Sequence, residues 1–115
     1  MASYFYGQST KDNKWYFRLN DNNNEPILSA TEGYNSKQAC LKGVDSVKKH
    51  SGTESNYKSF MGNDNRYYFS LQAINGEKIG KSEAYNTAYS RDRGKENSKQ
   101  EGPFASVKEL VGSYF

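Results

Sequence analysis

The chain writes one motif twice. Aligning Trp15 with Tyr67 brings Phe17 onto Phe69, Leu19 onto Leu71, Glu25 onto Glu77 and Ile27 onto Ile79 at a constant offset of 52 residues. With one residue dropped from the following loop, an offset of 51 pairs Glu32 with Glu83, Tyr34 with Tyr85, Asn35 with Asn86 and Gly43 with Gly94. Such a period means two copies of one supersecondary unit. A unit of about fifty residues is too small to bury its apolar face alone, so the copies must close one core between them. The expected organisation is a single domain over 1–115, with repeat one at about 4–61, repeat two at about 55–112, and the strand region 55–61 shared.

Each copy reads as strands, a helix and a closing strand. Trp15, Phe17 and Leu19 alternate with Tyr16 and Arg18, and Tyr67, Phe69, Leu71 and Ala73 alternate with Tyr68, Ser70 and Gln72. This period of two marks half-buried strands. Asn75-Gly76 predicts a two-residue hairpin turn with both central residues at positive φ. Its place in copy one is taken by Asp21-Asn22-Asn23-Asn24, and asparagine tolerates the left-handed region. Returning strands carry Ile27 and Ile79, and earlier strands around Tyr4–Tyr6 and Tyr57–Met61 turn at Lys11-Asp12-Asn13 and Asn63-Asp64-Asn65.

Helices are expected after Tyr34 and Tyr85, where Asn35-Ser36 and Asn86-Thr87 offer N-cap oxygens. Ser36, Cys40, Val44 and Val47 form one stripe of the first helix, and Gly43 permits close approach to the sheet. The positions that match Val44 and Val47 in the second helix are Lys95 and Ser98, within the polar run RDRGKENSKQ. Either this helix docks more loosely, chiefly through Ala88 and Tyr89, or the register of the repeat shifts there; Asp92–Lys95 and Glu96–Lys99 pairs fit a solvated face. Gly102-Pro103 ends it, and closing strands run over 55–60 and 105–110.

Leu, Ile, Val and Phe supply only 18 residues and mean hydropathy is −1.04, values that point toward disorder. Ten tyrosines among 17 aromatics, with a net charge of only +3, oppose that reading and predict an aromatic core. The 16 basic and 13 acidic residues are interspersed, which makes a mixed solvated surface the simplest reading. The single cysteine, Cys40, cannot form an intramolecular disulfide and suggests a reducing cytoplasmic setting. No leader-like or membrane-spanning run is read from the sequence.

Chemistry is sparse. His50 falls at a helix end without an acid or nucleophile nearby in sequence, Cys40 sits on an apolar stripe, and the two together do not make a zinc site. NGEKIGKSE lacks the spacing of a phosphate-binding loop. Glu32 and Glu83 recur, and are expected to cap or orient the helix starts. No catalytic residue, metal or cofactor is assigned, and the chain is read as a non-enzyme.

The combination of aromatic-x-Phe-x-Leu (WYFRL, YYFSL), Asn-Gly-Glu-x-Ile (NGEKI, altered to NNEPI), SEAY against ATEGY, GVDSVKK and ASVKEL resembles the YegP-like family of small bacterial tandem-repeat proteins of unknown function. The resemblance covers nearly all of the chain. It implies an α+β fold of two β-β-β-α-β repeats forming one mainly antiparallel sheet, with two helices on one face and the C-terminal strand of each copy exchanged into the other half. It also implies a monomer with pseudo-twofold symmetry, and brings no established activity.

If the helices cover the face of Phe17, Leu19, Phe69 and Leu71, then Tyr16, Arg18, Tyr68 and Ser70 face the other way. Tyrosine and arginine are favoured where proteins anchor partners. The expected function is a protein or peptide interaction module on this open face, the alternative being single-stranded nucleic-acid binding there. Cross-strand tyrosines that merely stabilise the sheet are the simplest account.

Overall fold

The computed structural model describes residues 1–112 and 115. Strands β1 (Ser3–Gln8), β2 (Trp15–Asn20) and β3 (Pro26–Ser29) precede helix α1 (Lys37–His50). Strands β4 (Tyr57–Met61), β5 (Tyr67–Gln72) and β6 (Lys78–Ser82) precede helix α2 (Ala88–Glu101), and β7 (Ser106–Glu109) closes the described part. The strands make one sheet in the order β4-β5-β6-β3-β2-β1-β7. Neighbours are antiparallel except β1 with β7. The halves join at β3 and β6. The strand after α1 pairs with β5 in the second half, and the strand after α2 pairs with β1 in the first, so the closing strands are exchanged.

Both helices pack on the face that carries Phe17, Leu19, Phe69 and Leu71, each at most 1% exposed. Hydrogen bonds between the amides and carbonyls of Trp15 and Tyr34, and of Tyr67 and Tyr85, tie each pre-helix tyrosine back to the first residue of β2 or β5 in its own copy. Those tyrosines explain the repeated glycine. A β-carbon at position 43 would overlap the Tyr34 hydroxyl, and one at 94 the Tyr85 hydroxyl, so each helix rests on a ring that only glycine admits. Tyr34 also stacks on Phe17 at 6.1 Å.

Beneath the helix C-termini the copies meet. The Tyr4 hydroxyl donates to the Gly102 carbonyl at 2.7 Å, and the Tyr57 hydroxyl donates to the Ser51 carbonyl at 2.7 Å. Gly102 and Ser51 are the C-caps of α2 and α1. Each buried tyrosine thus satisfies a carbonyl that a helix end leaves without a partner. Ser98, fully buried, makes a 2.7 Å hydrogen bond with Tyr57 Oη, where α1 has the apolar Val47.

Several sequence expectations need correction. The β5–β6 hairpin turns through three residues, with Ala73 N–H bonded to the Glu77 carbonyl and only Gly76 at positive φ (84°). A type I turn closed by one left-handed residue replaces the two-residue form. Copy one does the same with Asn24 at 63°. Helix α2 docks through Gly94 and Ser98, while Tyr89 is 71% exposed. The helix starts are capped by the Ser36 and Thr87 hydroxyls, which accept from Ala39 N–H and Ser90 N–H at 3.1 and 3.0 Å, and not by the exposed Glu32 and Glu83. Glu96 meets Lys99 as expected, but Lys95 reaches Glu54 and Asp92 meets Arg91.

Candidate functional site: the open face of the sheet

Strand alternation turns every second side chain away from the helices. Cross-strand register then aligns Lys58, Ser70, Lys81, Ser29, Arg18, Phe5 and Lys108 in one row across all seven strands. The ends of the row are fixed independently: Tyr57 faces the core, which turns Lys58 outward, and Glu109 binds Lys37 of α1, which leaves Lys108 on the open side. The four cations stand on alternate strands, separated each time by a neutral residue.

Aromatic rings flank this row. Phe60 of β4 stacks on Tyr68 of β5, with centroids 5.5 Å apart and planes 11° from parallel. The ammonium of Lys81 lies 4.8 Å from the Tyr68 ring centre and that of Lys78 lies 5.8 Å from the Phe60 ring. In the other half, the Phe115 ring packs beside Gly7, with the Arg18 guanidinium 4.7 Å from its centre. Each half also bears a cleft. One, of about 240 Å³, is bordered by Tyr16, Arg18, Ser29 and Phe115; the other, of about 440 Å³, is bordered by Ser29, Tyr68, Lys81 and Glu83.

The tyrosines singled out from sequence are anchored. Tyr16 Oη donates to Asp12 Oδ2 and Tyr68 Oη donates to Asp64 Oδ2 at 2.6 Å, the same i to i+4 bond in both copies. Asp12 and Asp64 also accept the amides of Lys14 and Arg66 at 3.0 Å, beside Asn13 and Asn65 at φ 60° and 63°. The tyrosine hydrogen bonds, and then these amides, hold both carboxyls below the usual carboxylate range, and the same bonds raise both phenols. Each pair therefore stays as phenol plus carboxylate and pins a hairpin turn.

Arg18 is half-buried, and Ser70, at 1% exposed, lies beneath its neighbours and offers nothing to a partner. Sequence reasoning missed Lys58, Lys81, Lys108, Phe5, Phe60 and Phe115. Alternation within YKSFM points Lys58 and Phe60 outward together, but only the register between strands gathers the cations into a line.

The other reactive side chains serve the fold. His50 Nδ1 donates to the Ser46 carbonyl at 2.7 Å, and its Nε2 accepts the Ile74 amide at 3.3 Å, so the ring links the end of α1 to the β5–β6 turn. Burial pushes the Cys40 thiol up to about 11. Among the described residues no helix is long and apolar enough to cross a membrane.

Comparison with known proteins gives a consistent result. The model of a family described as a domain of unknown function, DUF1508, matches residues 10–57 and again 63–109. The chain is 37% identical over 110 residues to the UPF0339 protein in the ptx operon 5′ region of Stutzerimonas stutzeri, covering 96% of this chain and 98% of that one. It is 37% identical over 109 residues to the UPF0339 protein YegP of Escherichia coli K12, covering 95% and 98%. The solution NMR structure of YegP from E. coli aligns with a TM-score of 0.87 at 36% identity, over 97% of this chain and 95% of that one. A UPF0339 protein from Shewanella oneidensis, also solved by NMR, gives 0.86 at 29% identity over 95% and 91%.

Proposed function

This chain belongs to the DUF1508 family, of which it carries two copies, and on that premise we propose that it is a non-catalytic binding module whose contact surface is the open face of the sheet. One observation carries the reading: a line of four cations flanked by aromatic rings lies on the face opposite the helices. A surface kept only for solubility has no need to align its cations across seven strands. The same geometry disfavours docking of a neutral peptide through tyrosine hydroxyls, because Asp12 and Asp64 already engage Tyr16 and Tyr68, and Ser70 is buried. What the face offers is a line of cations beside flat rings, with the carboxylates of Asp12, Asp64 and Glu83 at its margins, the first two engaged by tyrosine hydroxyls.

Photo-crosslinking in cells tests this. A photoreactive residue placed at Ser29, on the open face, should give discrete crosslinked species, and one at exposed Lys49 of α1 should give few. Equal and diffuse crosslinking from both positions would refute the module.

A further inference from the structure

The nature of the partner can be read from the row and its flanks, on the footing of the binding-module reading above. Adjacent strands lie about 4.8 Å apart, so cations on alternate strands repeat at about 10 Å, and the line from Lys58 to Lys108 extends about 29 Å before twist. That is a track for a flexible polyanion crossing the strands. A phosphate backbone is one such polyanion, and an acidic polypeptide is another.

The rings separate the two. One wall of the cleft in the first half is a planar group, the Phe115 ring, packed against Arg18 and Gly7. The second cleft shares Ser29 and Ala30 with the first, adds the repeat-equivalent positions Tyr68 (for Tyr16) and Lys81 (for Ser29) together with Glu83, and is the larger, at about 440 Å³. Beside it stand the stacked rings of Phe60 and Tyr68, with two ammonium groups at hand. An acidic polypeptide fills the cation line but supplies no regular series of flat rings for these positions. A nucleic acid supplies both, provided its bases are free of a duplex and can reach the aromatic faces.

We propose that the open face binds single-stranded nucleic acid, with phosphates along Lys58, Lys81, Arg18 and Lys108 and a base against the Phe60–Tyr68 platform and its cleft. Phe115 then occupies, within the chain, the kind of position a second base takes.

The test is fluorescence anisotropy with a labelled 20-nucleotide oligothymidine across a salt series. Four phosphate contacts to a single strand give a slope of log affinity against log salt of about −2.8, which is about a fifty-fold loss between 50 and 200 mM. Replacing Lys58 and Lys81 together by Ala should flatten the slope to about −1.4. Phe60→Ala, on an exposed edge strand, should weaken binding about tenfold without changing the slope. Far-ultraviolet circular dichroism verifies that both variants keep their fold.

Absence of binding at 20 mM salt overturns the proposal. So does binding that polyglutamate of equal length competes away as well as unlabelled oligothymidine does, with Phe60→Ala neutral; the face would then serve acidic polypeptides. If either result is accompanied by discrete crosslinks from position 29, the binding module survives and only the choice of partner fails. If crosslinks are missing too, both fail.

Discussion

Tyr57→Phe isolates the contact that joins the two copies. The Tyr57 hydroxyl donates to the Ser51 carbonyl at 2.7 Å, so the proton shared with Ser98 Oγ, also at 2.7 Å, comes from Ser98. Removing one oxygen therefore leaves two buried groups unpaired, a helix-end carbonyl and a serine hydroxyl that is fully shielded from water. Each such group costs about 1–3 kcal/mol, giving about 3 kcal/mol together after partial relaxation. For a domain of this size that lowers the urea midpoint by about 2 M. Tyr4→Phe, which strips a partner only from the Gly102 carbonyl, should cost about half as much. Ser98→Ala supplies the internal control: added to Tyr57→Phe it removes one of the two orphaned groups, so the double variant should be more stable than the sum of the single effects by about 1 kcal/mol. Equal losses for Tyr4→Phe and Tyr57→Phe, with strict additivity for Ser98→Ala, would refute this account of how the halves are joined.

Alkali should act on the same pair. Burial first of all raises the Tyr4 and Tyr57 phenols, Tyr57 to about 12; their contribution is complete below pH 10 and is lost as pH rises through the folded-state values, at up to about 1.4 kcal/mol per pH unit per tyrosine. Urea midpoints at pH 9 and 11 check this, and Tyr57→Phe should fall less steeply than the wild type. Gly94→Ala, which would favour a helix exposed on all sides, should instead destabilise by about 2 kcal/mol because its methyl group meets the Tyr85 ring; a gain in thermal midpoint would contradict the close approach. Hydrogen bonds from Lys95 and Lys99 pull Glu54 down to about 2, so its contribution is present above the ordinary carboxylate range and is lost as pH falls toward 2. The carboxylate is largely exposed, and Glu54→Gln should therefore cost under about 1 kcal/mol, with the difference from wild type disappearing in 1 M salt. Cys40, fully buried with its thiol near 11, should not react with a thiol-specific disulfide reagent at pH 8 until urea unfolds the chain; rapid reaction of the native protein would show that α1 opens readily.

The parts of this fold legible in the sequence are those governed by local periodicity. Alternation in WYFRL and YYFSL marks β2 and β5 and their inward faces, and the 51-residue offset aligns Gly43 with Gly94 although the surrounding helices differ in polarity. The docking of α2 is not legible in this way, because its contacts are not hydrophobic. Ser98 is buried for its hydroxyl, which Tyr57 requires, and Gly94 for its lack of a side chain; neither registers as apolar. The turn at Ile74-Asn75-Gly76 differs from the sequence expectation for a related reason: the dipeptide permits two positive φ angles, but the hydrogen bond between Ala73 and Glu77 selects a three-residue loop with one. On the open face, the sequence indicated which way Tyr16, Arg18 and Tyr68 point but not what stands beside them, since neighbours there come from strands far apart in the chain.

The arrangement of the open face also explains why the copies differ where they do. Residues 18 and 70 are repeat equivalents, as are 29 and 81, and each copy carries one cation and one serine at these two positions in opposite order. Ser29 and Lys81 are direct cross-strand partners at the junction of the halves. Had both copies kept the cation at the inner position, two like charges would face each other across adjacent strands, which is destabilising. Had both kept it at the outer position, Arg18 and a cation at 70 would stand three strands apart, and the latter would adjoin Lys58. The exchanged order avoids both, and places every cation two strands from the next. Exchanging Arg18 with Ser and Ser29 with Arg in one chain, Arg18→Ser with Ser29→Arg, keeps composition and net charge but sets residue 29 against Lys81. If even spacing is what the divergence of the copies secures, that variant should lose about 0.5 kcal/mol of stability at low salt and recover it at high salt. A variant indistinguishable from wild type at both would leave the opposite order of the two copies without a physical cause.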